Sequence, residues 1–183
     1  MQIQLKDLEL HPIEFDQEFA PESIELTRDL RLKTPLKAKG RAELIEEHHG
    51  GKKVVRDIRL VGDFSTTVLA DCARCLEPVA HDLAGHFDVL NRPQTENAGA
   101  EERELSEAET EISFYEGEGI RLEDALVEQI LLAVPVKVLC REECKGLCPQ
   151  CGRNRDSEQC QCATEFNDPR WAALAELRNK LEN

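Results

Sequence analysis

The sequence predicts an α+β protein: a small antiparallel β-meander or barrel-like domain with a packing helix, then a cysteine-rich module of the zinc-knuckle kind and a C-terminal helix. Three observations predict this fold. Apolar residues recur with period two through the first ninety residues. A stretch with helical spacing follows near residue 122, and six of the eight cysteines then fall between residues 140 and 162.

Residues 1–90 are predicted to form an antiparallel β-rich domain. Charged and apolar residues mix along short runs, as in strands with one face in water. Turn signals separate the runs, the clearest being His-His-Gly-Gly at 48–51 and the next Gly62-Asp63. A run as short as 54–61 also fits a helix, and this alternative stays open. The predicted strands are Leu36 to Ile45, Val54 to Val61, Phe64 to Leu69 and Val79 to Leu90.

Residues 91–111 are predicted to be an acidic flexible linker or exposed loop. The segment has one leucine, no aromatic residue and many glutamates. Such a composition buries too little apolar surface to offset the entropy of ordering. A solvated spacer is the simpler interpretation, and a docking segment for a basic partner is the alternative.

Residues 112–139 are predicted to add a strand and a helix that packs on the β domain. Residues 112–115 suit a short strand, and the Glu-Gly-Glu-Gly sequence after them breaks it. A helix follows, with acidic residues in its first turn and Pro135 at its end. Its apolar face consists of Leu122, Ala125, Leu126, Gln129, Ile130 and Ala133.

Residues 140–183 are predicted to form the cysteine-rich module and a final helix. Asp168 can cap that helix, and Pro169 suits its first position. One apolar stripe runs along it, which fits a packing helix or, alternatively, a partner-binding helix anchored by its tryptophan. The stripe consists of Trp171, Leu174, Leu177 and Leu181.

Charge and cysteine content limit the function classes. The formal net charge of -14 argues against a protein that coats nucleic acid nonspecifically. The first twelve residues lack a signal-peptide pattern, and no apolar run is long enough to span a membrane, so we expect a cytoplasmic protein without a membrane partner. Thiols stay reduced there, and eight cysteines then indicate metal binding or redox chemistry rather than disulfides.

Cys148-Pro149-Gln150-Cys151-Gly152 has the pattern of a zinc knuckle. Two residues between the cysteines let both sulfurs reach one ion, and the glycine lets the backbone turn under it. Cys160 and Cys162 would complete a tetrahedral site, which we predict as the first zinc site. Four thiolates leave no position for water, so this zinc would be structural and the segment would lack a core without it.

Cys72, Cys75, Cys140 and Cys144 are predicted as a second zinc site, so that the chain holds one or two zinc ions. This site would join a hairpin tip to the chain that leaves the helix. A competing arrangement places Cys144 in the first site and leaves Cys160 or Cys162 free. Inert thiols, or a redox pair of Cys72 and Cys75, are further alternatives, although a thioredoxin-type motif needs a helix start after its first cysteine.

The order of motifs resembles the YceD family, the large ribosomal RNA subunit accumulation proteins. The motifs are ADCARCLEPV, an acidic gap, GIRLEDALVEQILLAVP, LCREECKGLCPQCG, CQC and DPRWAALAEL. The resemblance covers roughly residues 30 to 180, and CKGLCPQCG and DPRWAAL are its most specific parts. It implies a small non-enzymatic factor for accumulation of large-subunit (23S) rRNA and ribosome assembly. Cys72 and Cys75 match a family feature, and no catalytic residue is carried over.

Combining family and charge gives a hypothesis about partners. From Arg28 to Arg59 there are ten basic and five acidic residues, and from Glu101 to Glu118 eight glutamates and one arginine. We predict that the basic segment faces large-subunit rRNA or pre-ribosomal particles, and that the acidic one meets or shields a basic ribosomal protein. The alternative is that these charges only solvate strands. No small-molecule substrate is expected. The RNA-facing candidates are Lys52, Lys53, Arg56 and Arg59.

Two other classes of function remain as rivals. One is a thiol-based redox sensor or oxidoreductase that uses Cys72 and Cys75. The other is a zinc-ribbon module that binds nucleic acid. Charge weakens the second, because residues 137–183 hold eight basic and eight acidic residues and offer no basic excess.

Overall fold

The computed structural model describes residues 1–48, 54–94 and 112–162 of the chain. The chain divides into two compact units. Unit 1 comprises residues 1–73 and 77–140, and unit 2 comprises residues 74–76 and 141–183. The predicted C-terminal helix lies outside the described residues, as does most of the predicted acidic linker. None of the helices in the described ranges reaches the length and apolarity that crossing a bilayer demands.

Unit 1 contains eight strands and two helices in its described residues, and a 3-10 turn at Pro21–Ser23. The elements are β1 (Gln2–Gln4), α1 (Leu5–Leu8), β2 (Ile13–Phe19), β3 (Leu30–Leu32), β4 (Leu36–His48), β5 (Val54–Asp71), β6 (Pro78–Pro93), β7 (Ile112–Tyr115), β8 (Gly119–Arg121) and α2 (Leu122–Ala133).

The main sheet has the order β2-β4-β5-β6-β7, and β3 pairs with the far end of β5. Neighbouring strands are antiparallel, except that β7 runs parallel to β6. Strands β1 and β8 form a separate antiparallel pair. The predicted α+β class with antiparallel sheets is confirmed, and the parallel strand β7 was not foreseen.

The core lies on one face of the sheet. Along β5 the buried side chains alternate with exposed ones from residue 58 onward, as a strand with one wet face requires. Helix α2 contributes three side chains that are almost fully buried in the same cluster, spaced four residues apart as one helical face requires. These are Leu122, Leu126 and Ile130.

The predicted turn at Gly62-Asp63 is wrong, because β5 continues through it as one strand of 18 residues. Gly62 lies opposite Gly40 on β4. A Cβ on Gly62 would come within 2.5 Å of the Lys39 carbonyl oxygen and 3.0 Å of the Phe87 ring. Position 62 therefore requires glycine because the neighbouring strands leave no space for a side chain, and not because the chain turns there.

The predicted linker also begins too early. Strand β6 extends to Pro93 and so includes residues 91–93. Asn91 is 6% exposed, and its side-chain nitrogen donates to the Ile58 carbonyl, 3.2 Å away. These residues belong to the sheet because Asn91 pairs with both β5 and β7, and the next two residues pair with β7.

Candidate metal centres and basic surface

A tight turn presents the first pair of cysteines in unit 2. Gly152 has φ +72°, and its N–H donates to the Cys148 carbonyl at 2.8 Å. The Cys148 N–H donates to the Arg153 carbonyl at 2.8 Å. No atom lies within 4 Å of a Cβ built on Gly152, so glycine is favoured by its left-handed backbone and not by lack of space.

The four cysteines predicted as the first site lie close together. The sulfur atoms of all four cysteines lie within 4.8 Å of one another. The Cys148 and Cys160 Sγ atoms are 3.4 Å apart, and those of Cys151 and Cys160 are 3.5 Å apart. Four sulfurs about 2.3 Å from a tetrahedral zinc would be about 3.8 Å from each other. The group, Cys148, Cys151, Cys160 and Cys162, could therefore hold a metal ion.

The electrostatics of this cluster favour a cation. The backbone N–H groups of Cys151 and Gln150 lower the pKa of the Cys148 thiol to about 6. Hydrogen bonds with the sulfurs of Cys160 and Cys151 raise the pKa of Cys162 to about 12. Crowded thiols share negative charge poorly, so all four could be thiolates together only with a divalent cation bound among them.

Hydrogen bonds, rather than apolar packing, organise the loop before this turn. The Asp156 carboxylate accepts from the Lys145 backbone N–H at 2.9 Å and from the Arg141 guanidinium at 2.6 Å. The Arg141 guanidinium and the Lys145 N–H hold the pKa of Asp156 below its usual range. Leu147 and Asn154 form an antiparallel bridge across the turn. The sulfurs are therefore carried by a polar scaffold.

The other four cysteines form a second group. The sulfurs of Cys72, Cys75, Cys140 and Cys144 also lie within 4.8 Å of one another. Cys72 is 0% exposed, and Cys75 and Cys144 are buried as well. Cys144 groups here and not with the first cluster, so the competing arrangement is not the one that the structure shows. Two groups of four cysteines could thus hold metal ions.

The CARC segment has a backbone like that of the CPQC turn. Leu76 follows Cys75 in the left-handed region, with φ +61°, as Gly152 does after Cys151. The Cys72 N–H donates to the Glu77 carbonyl at 2.9 Å. A thioredoxin-type pair requires a helix that starts at its first cysteine. Here the motif is followed by strand β6, which begins at Pro78. The sequence did not reveal this shared turn, because leucine does not signal a left-handed backbone.

Arg74, which sequence reasoning did not select, binds the loop that carries Cys144. Its guanidinium donates to the carbonyls of Glu142 and Cys144 at 2.9 and 2.8 Å. Its own carbonyl accepts from the Leu147 N–H at 3.0 Å. A Cβ on Gly146 would lie 2.8 Å from the same carbonyl oxygen. The backbones at Arg74 and Gly146 are therefore in close contact.

We expect Arg74→Ala to weaken metal binding by the second cysteine group about 10–100-fold, the usual range for loss of a residue that orients ligands. Competition with a chromophoric chelator measures this. Arg74→Lys should recover part of the affinity, because a single guanidinium nitrogen binds both carbonyls here and a lysine ammonium also has more than one N–H donor. The control is Arg153→Ala, at an exposed arginine 3.7 Å from Glu158. An Arg74→Ala protein with unchanged metal affinity would contradict the positioning role.

The predicted RNA-facing residues divide into two pairs. Lys52 and Lys53 lie outside the described residues. Arg56 forms ion pairs with Glu9 at 2.7 Å and Glu46 at 3.5 Å. Its guanidinium is therefore already engaged by carboxylates.

Arg59 is bound more tightly, by both oxygens of Asp88 at 2.8 and 2.6 Å. Glu43 adds a contact at 3.3 Å. The hydrogen bonds from Arg59 lower the pKa of Asp88. A phosphate would have to displace these carboxylates to reach either arginine.

Strand pairing neutralises much of the basic segment. Basic residues of β4 lie directly opposite acidic residues of β2, with Lys39 opposite Asp16 and Arg41 opposite Glu14. Lys39 is also opposite Asp63 on β5. Cross-strand neighbours of opposite charge attract one another at such distances. The solvent-exposed face of β4 is therefore less basic than the number of Lys and Arg residues in the sequence indicates.

Unpaired cations of the same segment lie near β3. Arg28, Arg31 and Lys33 are exposed and form no ion pair with any other residue that the structure describes. The Lys33 N–H donates to the Thr67 carbonyl at 2.7 Å, which fixes the backbone there. Lys37 on β4 is likewise exposed and forms no ion pair among the described residues, so these cations are the ones in the described part of the segment that carboxylates do not engage.

Comparisons with known proteins place the chain among a described family. A family model described as "Large ribosomal RNA subunit accumulation protein YceD" matches residues 60–178. An uncharacterized protein of Mycobacterium tuberculosis is 32% identical over 126 residues, covering 69% of this chain and 58% of its own. The uncharacterized protein YlbN of Bacillus subtilis is 26% identical, covering 95% of this chain and 92% of its own.

A chloroplast relative carries a functional name. The "Large ribosomal RNA subunit accumulation protein YCED homolog 1, chloroplastic" of Arabidopsis thaliana is 23% identical over 148 residues, covering 69% of this chain and 46% of its own. The chain thus spans about half the length of several curated relatives that it matches. No solved structure matches it.

Proposed function

The chain belongs to the YceD family, and we propose on that premise that it is a non-enzymatic factor for accumulation of large-subunit rRNA and for ribosome assembly. The family match supports this proposal most directly, because the matched residues 60–178 include all eight cysteines. The name of the chloroplast relative also refers to accumulation of the large ribosomal RNA subunit.

We propose further that both cysteine groups bind structural zinc. Closed sets of four thiolates suit zinc and leave no coordination position for a substrate. Burial of Cys72 and Cys75 supports a structural role over a redox one, since reactive cysteines need access to solvent. The metal would then hold a binding scaffold together, and partner recognition would lie on the surrounding surface.

A sucrose-gradient profile of a deletion strain tests the assembly role, with a blot that locates the protein across the gradient. We expect a deficit of large subunits, an accumulation of precursor particles, and the protein in the precursor fractions. Complementation by the wild-type gene should restore the profile. Normal subunit ratios together with absence of the protein from every particle fraction would overturn the proposal.

The basic segment remains a proposal for the rRNA contact, with Lys52, Lys53, Arg56 and Arg59 as the predicted candidates. The ion pairs around Arg56 and Arg59 indicate that these two contribute less than their charge suggests. Arg31 and Lys33 are exposed without such partners and are added to the candidates for phosphate contacts.

We expect the double variant Arg31→Glu, Lys33→Glu to lower the salt dependence of binding to protein-free large-subunit rRNA. The slope of log K against log salt concentration should fall by about 1–2, since each phosphate contact contributes close to one. The matched control is Arg56→Glu, Arg59→Glu, which should change the slope less. Fluorescence anisotropy between 50 and about 200 mM salt, the range over which such contacts respond strongly, measures both. Equal slopes for the two variants would count against this assignment.

A further inference from the structure

A cleft of about 420 Å³ in unit 1 is lined by residues of β7, β8 and α2. Its charged lining residues are three acids and one cation, which gives a net formal charge of -2: Glu116, Asp124, Glu128 and Arg121. Arg121 lies 3.9 Å from Asp124 and forms no other ion pair within the described ranges. The carboxylates of Glu116 and Glu128 are therefore not engaged by any cation that the structure describes.

The cations next to this cleft in sequence or register are used elsewhere. Arg92 on β6 lies opposite Phe114, but its guanidinium is bound by Asp57 at 2.6 Å and by Glu47 at 2.9 Å. The N-terminal ammonium, next to Gln2, is bound by Glu123. The negative charge of the cleft is thus not balanced by these neighbours.

The uncharged polar groups of the cleft also offer acceptors rather than donors. Asn91 lines the cleft and is 6% exposed. Its side-chain nitrogen donates to the Ile58 carbonyl at 3.2 Å, while its side-chain oxygen accepts no hydrogen bond from the described residues. The Ser113 hydroxyl donates to Glu128, with both carboxylate oxygens 3.3 Å away. A ligand that donates several hydrogen bonds would satisfy the Asn91 oxygen.

Phe114 adds an aromatic ring to the same cleft. It is 51% exposed, although it is a large apolar residue. An arginine guanidinium stacks on aromatic faces, carries five N–H donors and binds carboxylates with two of them at once. The combination of negative charge, free acceptors and an exposed ring therefore fits a guanidinium group.

The edge of the sheet beside the cleft indicates that the guanidinium belongs to a protein. Strand β7 is the last strand of the main sheet in the part of the chain that the structure describes. Beyond its ladder with β6, its backbone forms no hydrogen bond with other described residues. An extended segment of another protein can add to such an edge. Residues 95–111, which precede β7, hold seven glutamates and one arginine, so their charge opposes binding in the same cleft.

We propose that this cleft binds an arginine side chain of an extended basic segment in a partner protein. The guanidinium bonds the Glu128 carboxylate and the Asn91 oxygen and stacks on Phe114, and the backbone of the segment lies along β7. RNA fits the cleft poorly, because its phosphates would meet carboxylates. The inference deepens the proposed function and rests on it for the kind of partner, a basic protein of the large ribosomal subunit.

The test measures fluorescence anisotropy with the full-length, metal-loaded protein and three probes. The first is a short labelled peptide in which arginine alternates with threonine. The second is the same peptide with citrulline, a neutral side chain of the same shape, in place of arginine. The third is protein-free large-subunit rRNA. We expect the wild type to bind the arginine peptide about tenfold more tightly than the citrulline peptide, since charge-assisted hydrogen bonds are lost with citrulline.

Phe114→Ala and Glu128→Gln should each weaken binding of the arginine peptide by about two- to fivefold, the range for exposed cation–π contacts and ion pairs. Arg121→Gln should strengthen it, because it removes the competing cation. The matched controls lie outside the cleft and should bind like the wild type. They are Leu132→Ala, at a leucine of α2 that is 73% exposed, and Glu22→Gln, at an exposed glutamate.

Equal binding of the two peptides by the wild type would overturn the inference, as would no detectable binding of the arginine peptide. So would wild-type affinity in the double variant Phe114→Ala, Glu128→Gln, equal losses in the controls, or a loss confined to the rRNA probe. Melting temperatures show whether the variants are folded. If they are not, the citrulline comparison and Arg121→Gln still decide, because both keep Phe114 and Glu128.

Failure of this inference is separable from failure of the proposed function. A protein that sediments with precursor particles but does not distinguish the two peptides keeps the assembly role and loses the arginine site. Absence of the protein from all particles, with normal subunit ratios in the deletion strain, removes the assembly role whatever the peptides show.

Discussion

Removal of metal is expected to unfold residues 141–162 of unit 2 while the sheet of unit 1 stays folded. Within 141–162 the buried residues are only two cysteines and a glycine: Cys144, Gly146 and Cys148. Apolar burial in such a segment is too small to offset the entropy of ordering, so the proposed metal would supply its folding free energy. Unit 1 instead buries a continuous apolar core under its sheet.

Hydrogen exchange with mass spectrometry measures this, before and after a strong chelator. We expect amides in 141–162 to lose their protection and amides in β4, β5 and β6 to keep theirs. Zinc analysis should give two ions per chain before chelation. Cys148→Ser should reproduce the loss of amide protection near its own turn. The control is Ser157→Ala, in the same segment but outside the cysteine groups, which should keep the protection. Protection that survives complete metal removal would disprove the structural role of the metal.

The proximity of Cys148 and Cys151 could be predicted from the sequence because their spacing is local. In Cys148-Pro149-Gln150-Cys151-Gly152, two intervening residues and a following glycine already define a turn that aims two sulfurs at one point. The grouping of Cys72 with Cys140 was a weaker prediction, since residues far apart in sequence meet only through the fold. The shared left-handed residue after each CxxC pair was not foreseen, because leucine does not signal that backbone.

Predictions from the sequence were wrong where one residue type occurs in two structural roles. Gly62 was interpreted as part of a turn, but it lies in β5 because Gly40 and the Phe87 ring leave no room for a Cβ. A linear charge count likewise cannot show which residues face each other across strands. Arg59 counted as a free cation, yet strand pairing brings Asp88 and Glu43 to it.

Replacing Arg92 with Met is expected to destabilise unit 1 by about 3–5 kcal/mol, because it leaves a buried carboxylate without its partner. Asp57 on β5 is 0% exposed and accepts three hydrogen bonds from Arg92 on β6, at 2.6 to 3.2 Å. Glu47 on β4 adds a bond to Arg92 at 2.9 Å. One ion-pair network centred on Arg92 thus links strands β4, β5 and β6.

Urea unfolding of the metal-loaded protein, followed by circular dichroism, measures this loss. The double variant Asp57→Leu, Arg92→Met should recover much of the stability, since replacing a buried pair by apolar side chains costs less than leaving one charge alone. The matched control is Asp88→Asn, at the exposed pair with Arg59, which should cost far less because solvent screens both charges. If Arg92→Met and Asp88→Asn had similar effects, burial would not determine the strength of these pairs, and the network between β4, β5 and β6 would not stabilise the sheet as inferred.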